Sequence, residues 1–382
     1  MNWIAWKMLT GDKGKYFGII FGVAFATLLM VQQSSIFVGL MRNTISQIRD
    51  IEGADIWVMD PGMQFVDDIK PLSDGDLHLV RGVPGVSWAV KLYKGLSRAR
   101  FEDGNFQQVI LIGLDDATLV GAPRVITHGS LADLRQPDAV IMDEAGYRYL
   151  WPNQPVELGK TFEMNDRRAV IVGICKASPT FQTFPIVYTR YSQATLFVPK
   201  ERKLLSFVLA QGEPDVPPRE VCRRIEEQTG LQALTRDDFA WKTIRYYLQR
   251  TGIPINFGIT VSLGFLVGAA IAGQTFYLFV LENLRQFGAL KAMGLSNPRV
   301  VGMALLQAFV VGTIGYGIGV GGAALFGITM ALLTANRGIP MAFHMTWHIM
   351  LGAGVAVLLI VLGASIISIR RVLYLEPGIV FR

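Results

Sequence analysis

The residues whose spacing best suits catalysis are two histidines, His344 and His348, in the segment HMTWH. Side chains four residues apart lie on one face of a helix, so both imidazoles could bind one zinc ion. A zinc hydrolase with this spacing needs a glutamate directly after the first histidine, and this chain has Met345 there. His348 also follows Trp347 at the start of an apolar run, where an interfacial histidine is ordinary. We therefore predict no metal site.

Other catalytic patterns are missing from the sequence. It contains no G-x-x-x-x-G-K-[ST] phosphate loop, and the related GDKGK at residues 11–15 has the wrong spacing and no following serine or threonine. No glycine-flanked serine nucleophile and no pair of carboxylates stands out. We predict no catalytic or cofactor-binding residue in this chain, so any energy from ATP would have to come from a partner.

The composition is that of a membrane protein. Of all residues 51% are hydrophobic and 17% are charged, and four long stretches carry no charge in their interior. Each stretch contains an apolar run that exceeds the roughly 20 helical residues needed to cross a hydrocarbon core of about 30 Å. The first run is too long for a signal peptide and lacks a small-x-small cleavage site after it. We interpret it as a permanent anchor.

The distribution of charge predicts the orientation in the membrane. Residues 1–15, 282–300 and 370–382 together account for the net charge of +6 of the whole chain. Because basic segments stay in the cytoplasm, we place both termini and the 282–300 loop there, in a bacterial inner membrane. The pI of about 9.3 therefore reflects topology, and we predict no nucleic-acid partner.

The residues between the first and second stretches have a mixed composition typical of a folded domain. Short β-rich runs bounded by turn residues predict strands at 54–59, 106–114, 138–143, 160–165, 167–175 and 185–191. Residues 217–230 and 236–252 have helical periodicity. Cys175 and Cys222 could pair in an oxidising compartment or could be two separate buried residues.

The predicted fold is an α-helical membrane protein with four transmembrane helices, one plus three, and a large α+β extracytoplasmic domain inserted between the first and second. The predicted segments are an amphipathic N-terminal helix (1–15), transmembrane helix 1 (16–41), the periplasmic domain with stalk helices (42–254), transmembrane helix 2 (255–281), a cytoplasmic loop helix (282–300), transmembrane helix 3 (301–333), a short outer loop (334–346), transmembrane helix 4 (347–369) and a cytoplasmic tail (370–382).

The third apolar stretch is longer than a perpendicular span requires, so its helix must tilt, break or protrude. It contains two glycine pairs with small-x-x-x-small spacing: Gly315 with Gly319, and Gly317 with Gly321. Such pairs let helices approach closely, which predicts a packing interface. The alternative is that these glycines are incidental, because glycine is common in membrane spans.

The connection ENLRQFGALKAMGLSNPRV, residues 282–300, reads as a compact amphipathic helix. Its apolar residues recur at steps of three: Leu284, Phe287, Leu290 and Met293. Gly294 can end this helix, and Pro298 can open the next one. Such a helix is either an interfacial anchor or a docking element for a cytoplasmic motor.

This connection resembles the cytoplasmic loop of the FtsX/MacB-type ABC transporter permeases, where a helix reading roughly R-x-x-E-[FI]-[AG]-x-L-[KR]-A-[MIL]-G-[AL]-S precedes the third span. RRVLYLEPGIVFR (370–382) resembles the ending of the same family, and residues 138–174 resemble a segment of its extracytoplasmic domain. The resemblance covers essentially the whole chain. Within the family, SPTFQTFPIVYTRYSQA (178–194) is most similar to the DevC-type permeases.

The resemblance implies a homodimeric permease bound to a separate ABC ATPase. Members of the family transmit ATP-driven motion across the membrane and expel or extract lipids, peptides, drugs or haem. DevC-type members resemble parts of tripartite exporters with a periplasmic adaptor and an outer-membrane duct, which favours a lipid-like or glycolipid substrate.

When the family's motif is transferred by sequence position, the resemblance implies that residues 282–294 form the ATPase-docking coupling helix. The docking residues it implies are Glu282, Arg285, Gln286, Phe287, Leu290, Lys291, Met293 and Gly294. Arg285 and Lys291 would be polar contacts, and Phe287, Leu290 and Met293 apolar ones.

Two alternatives remain beside the exporter. An FtsX-like regulator has the same architecture and activates a periplasmic enzyme without transport, but it tends to carry a smaller inserted domain. A membrane-anchored hydrolase would need a catalytic constellation, which the inserted domain does not display.

Overall fold

The structure, a computed structural model, describes residues 2–11, 13–101, 104–199, 205–335, 338 and 341–373. Most of the predicted tail at 370–382 lies outside these residues. The chain divides into two compact units. The membrane unit contains Met1–Gly39, Gly252–Met330 and Phe343–Arg382, and the inserted unit contains Leu40–Thr251 and Ala331–Ala342.

The described helices are α1 (Asn2–Gly11), α2 (Lys13–Thr44), α3 (Ser46–Asp50), α4 (Asp74–Arg81), α5 (Glu144–Leu150), α6 (Tyr191–Ala194), α7 (Pro218–Thr229), α8 (Arg236–Arg250), α9 (Ile253–Glu282), α10 (Leu284–Ala292), α11 (Asn297–Ala335) and α12 (Trp347–Leu373). The strands are β1 (Ile56–Met59), β2 (Val86–Arg100), β3 (Phe106–Leu114), β4 (Val125–His128), β5 (Ala139–Asp143), β6 (Thr161–Met164), β7 (Arg167–Lys176), β8 (Ile186–Arg190), β9 (Phe207–Gly212) and β10 (Gln232–Thr235).

Four helices of the described chain are long and apolar enough to cross a membrane: α2, α9, α11 and α12. The one-plus-three arrangement predicted from the sequence is confirmed, with the α+β unit between α2 and α9. The third span, α11, is a single unbroken helix of 39 residues. Residues 13–15, which we assigned to the N-terminal helix, are instead the first turn of the first span. The helix begins early because helical residues satisfy their own backbone hydrogen bonds near the bilayer.

The first span packs against the second and third spans at glycines. Ala26 lies directly over Gly268 of α9, so a Cβ at position 268 would overlap the Ala26 side chain. On α11, a Cβ at Gly315 would lie 2.7 Å from Val23, and one at Gly319 would lie 2.5 Å from the carbonyl oxygen of Ala24. The backbones therefore approach as closely as the absence of side chains permits.

The other predicted glycine pair does not pack in this way. Among the described residues, nothing lies within 4 Å of a Cβ built at Gly317 or Gly321. The two pairs differ by two residues, which turns them through about 200° around the helix, onto nearly opposite faces. Gly317 and Gly321 therefore make no close packing contact with the described part of this chain, and their packing role stays a prediction.

The inserted unit is built on one sheet with the described strand order β10-β1-β9-β2-β3-β8-β5-β7-β4, and β6 pairs with β2 and β7. The pairs β3–β8 and β5–β7 are parallel, and the remaining pairs are antiparallel. The long strand β2 runs through the middle of this order and pairs with β9 and β3. Trp57, Phe207 and Phe239 pack together in the core, with ring centroids 5.1–5.8 Å apart.

The packing at Gly319 generates a prediction with a matched control. Gly319→Ala places a methyl group against the backbone of the first span, and such overpacking costs about 1–3 kcal/mol. Gly321→Ala adds the same methyl group where the described chain leaves space. We expect the first variant alone to lower the melting temperature of the detergent-solubilised protein, as measured by differential scanning fluorimetry. Equal melting temperatures would show that the close approach is not required.

Candidate functional site

The helix between the second and third spans, α10, is the loop helix (Leu284–Ala292), and it has defined ends. The side-chain amide of Asn283 donates to a carbonyl oxygen of the last turn of α9 at 2.9 Å. At the far end, the Leu295 N–H donates to the Leu290 carbonyl oxygen at 3.1 Å. The Gly294 N–H donates to Lys291 at 2.9 Å, with a φ of +93° at the glycine. These bonds form a Schellman motif, which fixes the turn into the third span.

One face of the loop helix is anchored in the membrane unit. Phe287 is completely buried and belongs to a buried cluster with residues from α1, α9, α11 and α12. The same cluster contains Leu9, Phe279, Val280, Val300 and Ile369. The structure corrects the prediction that Phe287 forms an apolar contact with the ATPase. The side chain is covered by its own chain because the ends of the spans converge on that face.

The opposite face of the loop helix is open. Met293 is 76% exposed, although methionine is usually buried. Arg285 and Gln286 are also exposed, whereas Leu290 and Lys291 are half-buried. A thioether, a guanidinium and an amide thus share an accessible surface on a helix whose other side is fixed. This surface consists of residues that can contact another protein.

Glu282 is engaged within the chain. Its carboxylate forms an ion pair with the ammonium of Lys15, at the start of the first span. Glu282 therefore has a partner within the chain, and its predicted contact with an ATPase stays a prediction. The pair joins the ends of the first and second spans just before the loop helix.

In the inserted unit, α3 ends in a clamp that we call the stalk clamp. The carboxylate of Asp50 accepts hydrogen bonds from the backbone N–H and the hydroxyl of Ser178, each at 2.7 Å. The guanidinium of Arg124 donates to the Arg49 carbonyl oxygen at 2.8 Å and pairs with Glu52 at 2.9 Å. The chain that leaves the first span is thereby held to two separate loops.

The helix that leads to the second span is held by aromatic rings. The Phe65 ring stacks on Tyr246 of α8 with centroids 4.2 Å apart, and it meets Tyr247 edge-on at 5.5 Å. Phe181 contacts Tyr247 at 4.9 Å. Burial raises the pKa of Tyr247, so this hydroxyl stays neutral at physiological pH.

Gly338, which follows the third span, lies against α5. Gly338 has a φ of +64°, and a Cβ there would overlap the carbonyl oxygen of Ala145. Asp143 caps the same helix by accepting the N–H of Gly146 at 2.9 Å, and it also accepts the N–H of Ile186 at 2.6 Å. Burial raises the pKa of Asp143 to about 6, because desolvation outweighs these hydrogen bonds.

The histidine and cysteine residues that the sequence raised for metal binding or disulfide formation have structural surroundings. The backbone N–H of His344 donates to the Ser35 carbonyl oxygen at 2.9 Å. The described residues contain no group of three or more metal-ligating side chains. Cys175 in β7 and Cys222 in α7 are separate, buried thiols, which settles the alternative left open by the sequence.

Comparison with known families matches both halves of the chain. Residues 16–228, more than half of the sequence, match the family described as MacB-like periplasmic core domain. Residues 258–377 match the FtsX-like permease C-terminal family. Together with the four spans, these matches define a permease of the ATP-binding cassette class. The chain belongs to the FtsX/MacB-type ABC transporter permeases, so it is a multi-pass inner-membrane protein that works with an ABC ATPase.

Several known proteins are similar to this chain in sequence or structure. An uncharacterized ABC transporter permease of Mycobacterium tuberculosis is 26% identical over 95% of this chain and 93% of its own length. A protein named as a hemin transport system permease, from Staphylococcus epidermidis, is 23% identical over 40% of this chain and 41% of its own. The solved periplasmic region of MacB from Actinobacillus actinomycetemcomitans is 17% identical, covers 53% of this chain and 96% of that chain, and has a TM-score of 0.37.

Sequence reasoning missed several of these residues. Asp143 had a readable signal, because an aspartate directly before a helical segment is a common N-cap. Gly338 stood in a short loop without any pattern around it. Asp50 and Ser178 had no local signal at all, since 128 residues separate the two partners. Lys15 counted only toward the charge that predicts the topology, and Glu282 was predicted as a docking residue, so their ion pair had no signal in the sequence.

The raised pKa of Asp143 makes a prediction about pH. Its folded pKa of about 6 exceeds the usual value of about 3.9, so the folded state binds the proton more tightly. This contribution to stability is present at low pH and is lost as the pH rises from about 4 to about 6, by about 3 kcal/mol in total.

The measurement compares the native chain with Asp143→Asn, in which this titration is absent. As the pH rises from 4.5 to 7, we expect the melting temperature of the native chain to fall relative to that of the variant. A difference that stays constant over this range would show that Asp143 does not titrate there.

Proposed function

We propose that this chain is the permease subunit of an ABC exporter that works by mechanotransmission. The observation that supports this function best is the loop helix, which is anchored by Phe287 and exposes Met293 on its other side. A rigid element with one buried and one open face can receive force from a partner without deforming. The proposal assigns that partner as the ABC ATPase, on the cytoplasmic side.

The docking surface consists of Arg285, Gln286 and Met293, with Leu290 and Lys291 at its border. Met293 offers a flexible apolar contact that adapts to a partner groove. Arg285 offers charge-assisted hydrogen bonds to carboxylates of the partner. ATP and Mg belong to the ATPase, and this chain supplies no catalytic residue or cofactor ligand of its own.

In this proposal, the inserted unit is the part of the protein that receives the movement of the spans. The first span continues as one helix to Thr44, and the stalk clamp at Asp50 follows within a few residues. The third span ends at Ala335, and Gly338 then lies against α5. In this proposal, motion of the first span reaches the sheet through the stalk clamp, and motion of the third span reaches it through Gly338.

The finer assignments follow from the resemblance and the charge distribution. Both termini are cytoplasmic, and the inserted unit is periplasmic. The chain functions as a homodimer, and the DevC-like segment 178–194 favours a tripartite assembly with a periplasmic adaptor and an outer-membrane duct. The cargo is a hydrophobic or amphiphilic molecule, with a glycolipid favoured. The relative named for hemin transport supports an amphiphilic cargo of some kind.

Purification of the chain from native membranes in mild detergent, followed by mass spectrometry of proteins and lipids, tests this function. The exporter predicts an ABC ATPase, an adaptor and an enriched lipid-like molecule in the same fraction. An ATPase together with a cell-wall hydrolase would instead identify an FtsX-like regulator. Recovery without any ABC ATPase would contradict both functions.

The docking surface is tested with substitutions at one exposed residue. Met293→Asp places a charge on the surface that contacts the ATPase, and we expect at least about tenfold less co-purified ATPase because a buried unpaired charge is costly. Met293→Leu keeps the apolar contact and is the matched control. Both variants should melt at the native temperature, since Met293 is exposed. Native recovery of ATPase with Met293→Asp would exclude this face as the docking site.

The link at Gly338 is tested by comparing two glycines with positive φ. Gly338→Ala adds a methyl group that overlaps α5, whereas Gly159→Ala, with a φ of +88°, meets nothing within 4 Å among the described residues. We expect Gly338→Ala to retain ATPase binding and ATP hydrolysis but to lose most ATP-dependent cargo release from proteoliposomes. Gly159→Ala should retain all three. Equal cargo release by the two variants would mean that the loop after the third span does not transmit motion.

A further inference from the structure

The inserted unit contains a cleft of about 380 Å³ that includes no residue of the loop helix or the stalk clamp. The cleft lies on β2, β3 and β6, and residues 197–199 contribute to one side of it. Its volume falls within the range of small-molecule sites, which runs from roughly 300 to 1,000 Å³. We call it the arginine cleft after Arg98 and Arg100, which line it together with Phe106 and Gln108.

The register of the sheet brings these side chains to one face. At the end of β2, the exposed Arg98 and Arg100 stand on either side of the buried Ala99. In the pairing of β2 with β3, Gln108 lies opposite Arg98 and Phe106 lies opposite Arg100. Opposite residues of an antiparallel pair point to the same face of the sheet. Two guanidinium groups, an amide and an aromatic ring therefore share this face.

An exposed aromatic ring holds the two guanidinium groups. Phe106 is 58% exposed, although phenylalanine is usually buried. The Arg98 guanidinium lies 5.3 Å from the centre of this ring, and the Arg100 guanidinium lies 6.0 Å from it. A cation–π contact positions a guanidinium without using its N–H donors. Leu96, which is also exposed, adds a second apolar side chain to the cleft.

The chain segment at the side of the cleft is held to the sheet by side-chain hydrogen bonds. The Ser97 hydroxyl donates to the carbonyl oxygen of Phe197 at 3.1 Å. The side-chain amide of Asn165 donates to the carbonyl oxygens of Leu196 at 3.1 Å and Val198 at 3.0 Å. Phe197 is itself completely buried in the core. The cleft is therefore formed by the fold before any ligand binds.

The two arginines differ in their ionic partners. Arg100 pairs with the carboxylate of Glu163 at 3.6 Å. In the part of the chain that the structure describes, no carboxylate lies within ion-pair distance of Arg98. Asp166 also lines the cleft, so a ligand with several negative charges would be repelled by the two carboxylates. These charges favour a ligand with one anionic group, placed at Arg98.

The pairing of the strands limits how a ligand can bind. At Arg100, β2 is bonded to β3 on one side and to β6 on the other. β6 in turn is bonded to β7 along its second edge. An extended peptide cannot add a strand to β2 or β6 here, because it would need a free edge. A ligand of the cleft is therefore held by side chains, which suits a small molecule.

We propose that the arginine cleft binds the anionic group of an amphiphile. The Arg98 guanidinium donates to its carboxylate or phosphate oxygens, and Phe106 and Leu96 contact the start of its apolar part. The planar guanidinium presents paired donors that match these oxygens. The inference rests on the proposed function, in which the cargo is hydrophobic or amphiphilic. It adds the charge of that cargo and the residue that recognises it.

Binding of dodecanoate to the full chain tests the site. Native mass spectrometry in a non-ionic detergent gives the Kd, and we expect binding by Arg98→Gln to be at least about fivefold weaker, because a charge-assisted hydrogen bond is lost. Arg245→Gln removes an exposed arginine of α8, outside the cleft, and should bind dodecanoate as the native chain does. Both variants should melt at the native temperature. Equal binding by Arg98→Gln and the native chain overturns the proposal.

Two further probes test the class of ligand. Dodecanol has the same apolar chain without the charge, and acetate has the carboxylate without the chain. We expect both to bind at least about tenfold more weakly than dodecanoate, with acetate measured as a competitor. Dodecanol binding as tightly as dodecanoate would show that the charge is not recognised. Acetate binding as tightly would identify a site for free anions. Either result overturns the proposal.

Recovery of the ATPase separates this inference from the proposed function. Co-purified ATPase is measured on the same samples, and Arg98→Gln should retain it because the cleft lies in the inserted unit. A chain that binds its ATPase but whose dodecanoate binding does not depend on Arg98 contradicts only this inference. Binding that depends on Arg98 in a chain without any ABC ATPase supports the site and contradicts the proposed function.

Discussion

The membrane unit depends on close contact between helices, because lipid tails compete equally for apolar side chains and no hydrophobic force draws the spans together. The first span provides that contact. Half of its most apolar window is buried, against 17% in the second and third spans. Ala26 lies on Gly268, and Val23 and Ala24 lie on the glycines of α11. The three spans near the C-terminus are therefore organised around a helix from the other end of the sequence.

That arrangement explains why the loop helix is rigid. The ends of α9, α11 and α12 converge with α1, and Phe287 fills the space between them. The ion pair of Lys15 with Glu282 joins the first two spans immediately before the loop. The Schellman motif at Gly294 then fixes the direction in which the third span leaves. Force applied at Met293 would thus be distributed over the packed ends of all four spans.

Local patterns in the sequence predicted the spans, the strand at 106–114 and the helix at 217–230, since each has its own periodicity and end signals. They did not predict β2, the longest strand. This strand carries several charged residues, and one of them, Lys94, is buried, with its ammonium bonded to the Val66 carbonyl oxygen and to Asp67. Nor could spacing alone distinguish Gly319 from Gly321. Which face of a helix meets a neighbour is decided by residues far away in the chain.

Shifted pKa values often mark catalytic groups, but here they have structural explanations. Desolvation lowers the pKa of Lys94 despite its pairing with Asp67, and burial raises that of Asp143 while two backbone N–H groups hold its carboxylate in place. Both groups are held by hydrogen bonds within the inserted unit, and Asp143 pairs in register with the buried thiol Cys175, whose pKa is also raised by burial. In the proposed function, this chain contributes shape, stiffness and contact surfaces. Energy enters through a docked ATPase and leaves as movement, which is the division of work that a permease and a separate ATPase provide.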